Sequence, residues 1–194
     1  MVHFATSGFA PIALGFFGLG TGYLIWGPVE LFGYPPRGPA ADRAVGHWGI
    51  WLPGFCQFVT GIILFVGMTW FQVFKDPPLY MAAQAFSAYG IHWFVLGWNR
   101  VQNNDPRPNA GMSVAYTILS VLGIWVFFAA GGWPVAVLFI GLTAVYVTDF
   151  MNSTGMPMGL RLHGVAHLAT GIWLMYLTFG TVLNLAAGYS LPAG

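Results

Sequence analysis

Long apolar stretches, with almost every fixed charge placed at their ends, organise this chain. The residues ahead of Glu30, those between His47 and Lys75, and those between Asp76 and Arg100 each run without Asp, Glu, Lys or Arg. Each run can cross a hydrocarbon core, which takes about 20 apolar residues per helix. The segment from Pro108 to Thr148 is about twice that length and is broken at Gly131-Gly132-Trp133-Pro134, so it predicts two helices joined by a tight turn. A last span follows Arg161. The pattern predicts an all-α integral membrane bundle of six transmembrane helices in one domain, over about 8–32, 48–73, 79–99, 109–130, 133–151 and 162–186.

The connecting segments are short and rich in breakers: Gly33 to Pro39, Lys75 to Pro78, Asn103 to Pro108 and Asn152 to Pro157. None is long enough to hold a soluble domain or a lid, so function is expected within the membrane. Composition agrees. The 194 residues are 57% hydrophobic and 6% charged, which leaves too little polar surface to wrap a water-soluble core.

The first span has neither a basic leading region nor a suitably placed small-residue cleavage site, and is predicted to be retained. The single cysteine, Cys56, lies mid-span and can make no internal disulfide. A net charge of +1 without a basic run gives no footprint for nucleic acid. Arg37, Arg43, Arg100, Arg107 and Arg161 fall on one side of the six spans, and Lys75 on the side shared by both termini. The positive-inside rule then predicts external termini.

Gly15, Gly18, Gly20 and Gly22 crowd the first helix, and the Gly18-to-Gly22 spacing lets two backbones approach closely, within the bundle or between subunits. Trp26, Trp48, Trp51, Trp70, Trp98 and Trp133 fall near span ends, where amphipathic rings favour the headgroup region.

Enzyme signatures are nearly absent. Glu30, Asp42, Asp76, Asp105 and Asp149 all lie in or beside predicted loops, there is no phosphate-binding glycine loop, and no nucleophile stands at a recognisable spacing from a base. The chain is expected not to be an enzyme and to need no cofactor. His163 and His167, four apart on one helix face, have the spacing that lets two imidazoles meet one metal. No third ligand is spaced in sequence to join them, so they stand as weak metal candidates and no metal is expected. His92 sits in mid-span, where a titratable group is costly unless it faces the bundle interior or a wet cavity. Gln57 and Asn184 are likewise polar groups inside apolar helices that need partners.

The block Phe86-Ser87-Ala88-Tyr89-Gly90-Ile91-His92-Trp93 resembles the third-helix signature of the acetate uptake transporter family, the SatP or YaaH type of acetate and succinate transporters. Phe86, Ser87, Tyr89, Gly90 and Trp93 fit it, and His92 replaces an aromatic. Gly54, Gln57 and Gly61 match a second-helix element, Pro108-Asn109-Ala110 leads into the fourth helix, and Tyr176 through Asn184 and Gly188 to Pro192 is similar to the closing helix and tail. The family's opening motif appears as Ala10-Pro11-Ile12-Ala13-Leu14-Gly15-Phe16, without its Asn and second Pro. Leu64 and Thr181 stand where members carry acidic residues.

The resemblance implies a homo-oligomer, a hexamer in the family, with cytoplasmic termini against the charge count and a pore pinched by Leu19, Tyr89 and Leu142. Pro11, Leu14, Gly15, Gln57, His92, Trp93 and Asn184 complete the expected substrate pathway. The Tyr89 hydroxyl is expected to offer a donor to a solute that sheds water. The function so implied is a channel or transporter for small monocarboxylates such as acetate, with proton coupling as one form it can take, in the cell inner membrane, with the lipid bilayer and the carboxylate as partners. The alternatives are an accessory subunit of a larger membrane complex and a carrier of a His-ligated cofactor or pigment.

Overall fold

The computed structural model describes residues 7–193. Among them, six helices run antiparallel in chain order: α1 Phe9–Phe32, α2 Pro39–Thr69, α3 Pro78–Gln102, α4 Asn109–Ala129, α5 Trp133–Ser153 and α6 Gly159–Ala187. Successive helices pack on one another and α6 closes against α1, so the bundle is a ring around an axis. All but α3 are both long and apolar enough to cross a membrane. The 25-residue α3 has the length but carries Gln84, Ser87, His92 and Asn99. The chain is a multi-pass membrane protein.

Backbone signals, rather than the ends of apolar runs, set the helix limits. The second helix begins at Pro39 instead of 48, because Pro39 and Asp42 in the first turn are good helix starters although they lie outside the charge-free run. It stops at Thr69 instead of 73, and the chain turns away with Gln72 in a left-handed conformation at φ 54°. Pro78 and Pro134 likewise sit in the first turns of α3 and α5. Gly33, at φ 67°, ends α1 with its N–H on the Pro28 carbonyl, a conformation that a residue with a Cβ would strain.

Within α2, Ile50–Cys56 is wound as a π-helix around Pro53. Proline has no N–H to give to the helix, and such wide turns accommodate the missing bond. Gly18 and Gly22 of α1 pack on this segment: a Cβ at Gly18 would stand 2.5 Å from the Leu52 carbonyl, and one at Gly22 would stand 2.7 Å from Pro53. The close glycine packing therefore lies within the bundle. Gln57 directly follows the π segment and is fully buried.

Trp70, Trp98 and Trp133 are exposed on the outside of the bundle near the helix ends, in keeping with an aromatic belt, whereas Trp48 and Trp51, also exposed, lie well inside α2 because that helix begins at Pro39. Trp26 differs. It is buried, donates Nε1–H to the Val45 carbonyl at 3.2 Å, and carries the Arg100 guanidinium 4.6 Å from its ring.

Candidate functional site

Two helices send matching stripes towards the axis. On α1 they are Leu19, Tyr23, Trp26 and Glu30, and on α5 they are Leu142, Tyr146, Asp149 and Ser153; all eight are buried. Each stripe has the i, i+4, i+7, i+11 spacing of one helix face. Both begin apolar, continue aromatic and end polar, and so does the axis they line.

At the apolar end lies a small cavity of about 30 Å³ lined by Leu19, Tyr89, Leu142, Phe16, Phe86 and Gln57 among others. The three residues that the family resemblance marks as a constriction thus line one cavity, drawn from α1, α3 and α5. Phe9, Phe127 and Val135 separate this cavity from a wider hollow of about 780 Å³ at the end of the bundle that holds Asp76 and Gly131.

Polar capacity at the cavity differs from expectation. Ser120 Oγ donates to the Tyr116 carbonyl at 2.7 Å and accepts from the Tyr89 hydroxyl at 2.9 Å, so the Tyr89 proton is already engaged. The free polar groups belong to Gln57, whose Nε2 and Oε1 both lack a protein hydrogen-bond partner among the described residues. An unpaired buried amide costs roughly 1–3 kcal/mol, so a ligand that pairs it recovers that penalty.

Beyond Tyr89 the axis is aromatic. Tyr89 stacks on Tyr146 at 5.4 Å between ring centroids, Tyr116 packs against both, and its hydroxyl donates to the Ala88 carbonyl at 2.8 Å. His92 lies beside them with Nδ1 3.3 Å from the Tyr146 hydroxyl, while its Nε2 and the Nε1 of Trp93 have no protein partner among the described residues. His92 faces the bundle interior, and Trp93 packs against Tyr23 and edge-on to Trp26.

The polar end holds a cluster that was not legible in the sequence. His167 Nδ1–H donates to Glu30 Oε2 at 2.7 Å, and His163 Nε2 stands 3.9 Å from both Glu30 Oε1 and Asp149 Oδ1. Ser113 Oγ donates to Asp149 Oδ2 at 2.7 Å. Glu30 and Asp149 are buried here, which corrects their assignment to loop edges and the expectation that no acid joins the histidine pair. The stripes on α1 and α5 were the signal that could have found them. A hollow of about 360 Å³, lined by Arg100, Asn99, Asn152 and Leu160 among others, opens this cluster to the arginine-rich end of the bundle.

Six expected pathway residues lie off the cavity: His92 and Trp93 stand further along the bundle interior, and Pro11, Leu14, Gly15 and Asn184 lie elsewhere. Leu14 is 43% exposed on the outer face of α1, because the five-residue step to Leu19 turns it about 140° away from the buried stripe. Pro11 receives the Thr60 hydroxyl on its carbonyl at 3.1 Å, and Gly15 makes room for the Phe86 ring, so both serve packing. Asn184 binds the tail instead of the axis: its Nδ2–H donates to the Leu191 carbonyl at 2.8 Å and its Oδ1 accepts the Leu191 N–H at 2.7 Å. Leu64 and Thr181, which replace the family's acidic residues, are both buried.

A closed six-helix membrane bundle with a small apolar cavity in its interior is the class of protein this fold defines. The fold is that of the bacterial acetate channel SatP, which superposes with a TM-score of 0.77 over 95% of this chain and 98% of that one, at 19% sequence identity. No protein-family model matches the sequence, and no curated protein does either.

Proposed function

We propose that this protein passes small monocarboxylates of the acetate class across the membrane, through the cavity walled by Leu19, Tyr89, Leu142 and Gln57. The observation that carries this reading is the unpaired Gln57 amide on an otherwise apolar wall. An amide offers one donor and one acceptor side by side, which complements the carbonyl and hydroxyl of a neutral carboxylic acid. A bare carboxylate has acceptors only and leaves Oε1 unpaired. The cavity volume of about 30 Å³ is room for about two water-sized groups, which favours a short acid. The favoured passenger is therefore the neutral acid, moving a proton together with the carboxylate. Likeness of fold to an acetate channel supports the same solute class.

The reading places the protein in the cell inner membrane as a homo-oligomer, as the family resemblance implies. Uptake of labelled acetate and succinate into proteoliposomes tests it, with and without a pH gradient and against empty vesicles. Saturable, protein-dependent acetate entry that rises when the outside is more acidic is expected. Failure of verified folded protein to carry acetate would overturn the reading, and extraction in mild detergent together with other polypeptides in fixed ratio would favour an accessory subunit.

A further inference from the structure

The Glu30, Asp149, His163 and His167 cluster contains an unusual electrostatic arrangement. Thr148 Oγ1 donates to the Ala144 carbonyl at 2.7 Å, so at the 3.1 Å contact with His163 it is Nδ1–H that donates to Thr148. That fixes the tautomer and leaves Nε2 of His163 as a bare lone pair. It faces two carboxylate oxygens at 3.9 Å each, too far for a hydrogen bond, one on Glu30 and one on Asp149. In a buried setting such an array lacks a cation.

The geometry points to a binding site for a borderline divalent transition metal, of the zinc or cobalt(II) type, held by His163, His167 and Glu30, with water in the fourth position and Asp149 beside the site as a compensating charge; binding releases to solvent the His167 proton that Glu30 now accepts. One ligand atom from each of the first three lies within 4.8 Å of the others. Ligands at about 2.0–2.2 Å from a tetrahedral metal stand roughly 3.4 Å apart, so the 3.9 Å separation of His163 and Glu30 closes by about half an ångström, and the widest spacing in the set, within 4.8 Å, by little more than an ångström. Two imidazoles with carboxylates select zinc-like ions over magnesium or calcium, which prefer all-oxygen shells.

The supporting shell is also present. Thr148 holds His163 in its tautomer, and Ser113 anchors Asp149 through Oδ2, opposite the oxygen that faces His163. The hollow lined by His163, Glu30 and Asp149 gives an access route. Arg100 lines the same hollow, but Asp42 holds its guanidinium at 2.9 Å and Trp26 underlies it.

The test uses untagged, chelator-treated full-length protein titrated with Co²⁺. One Co²⁺ per chain is expected, with the intense visible absorption of four-coordinate cobalt, displaced by Zn²⁺. His163→Asn abolishes the band, and Thr148→Val, which removes only the hydrogen-bonding support, weakens binding about 10–100-fold. Wild-type protein that elutes as a folded species and binds no stoichiometric Co²⁺ would overturn the proposal, as would an unchanged band in folded His163→Asn. Acetate flux plays no part in this readout, so it stands or falls apart from the transport reading.

Discussion

His167 Nδ1 of α6 lies 2.7 Å from Glu30 Oε2 of α1, a buried contact between residues 137 positions apart that fastens the last helix to the first. Breaking such a pair strands one partner in a low-dielectric interior. Glu30→Leu and His167→Leu, which each remove one partner outright, are expected to cost about 1.5–3 kcal/mol, and the double variant less than their sum. Unfolding in mixed detergent micelles measures all three, and additive losses would show that the two side chains do not act as a pair.

Glycine contacts set the helix spacing, and their consequences differ by position. A Cβ at Gly90 would stand 2.6 Å from the Phe58 backbone nitrogen, so Gly90→Ala must push α2 from α3 at about 1–3 kcal/mol. Gly111 of α4 has open space around it, and Gly111→Ala is expected to stabilise by about 0.5–1 kcal/mol. Thermal unfolding of the two variants should shift in opposite directions.

Most of the fold was written in the placement of charges, and most of the site was not. Charge-free runs located the spans because the bilayer excludes fixed charge wherever chain meets lipid. The same logic misplaced Glu30 and Asp149, since an acid near the end of an apolar run reads as a loop edge until the facing helix is known. Only the ring closure of α6 on α1 brings Glu30 to His167. Helix limits were shifted at Pro39 and Thr69 because caps and proline, not hydropathy, begin and end helices. Tyr89, Leu19 and Leu142 were placed together by family resemblance, whereas the engagement of the Tyr89 hydroxyl with Ser120 depends on a neighbour on α4 that no local motif reveals.

Asn184 clamps the tail through two bonds to Leu191 and takes no part in the axis. Asn184→Leu is therefore expected to free the segment after α6, seen as faster amide hydrogen exchange at Leu191, while acetate flux is unchanged. Loss of flux with an unaltered tail would return Asn184 to the pathway.

The amide of Gln57 is the polar contact that the transport account relies on. Gln57→Leu keeps the approximate volume but removes donor and acceptor, and because the amide has no protein partner to lose, the fold should be as stable or more so. Acetate flux is expected to fall about tenfold or more, the equivalent of one lost hydrogen bond of about 1.4 kcal/mol in the constriction. Unchanged flux would remove Gln57 from the path.

The most direct test of the central claim is the size selectivity of the constriction. Flux of acetate and of gluconate, a larger carboxylate, would be compared in proteoliposomes holding wild-type protein, Tyr89→Ala and Leu142→Ala, each checked for folding by size-exclusion elution. The account predicts that wild type carries acetate and rejects gluconate, while the enlarged variants carry both. Folded variants that admit acetate and exclude gluconate just as wild type does would contradict it, because the solute would then not pass between Leu19, Tyr89 and Leu142.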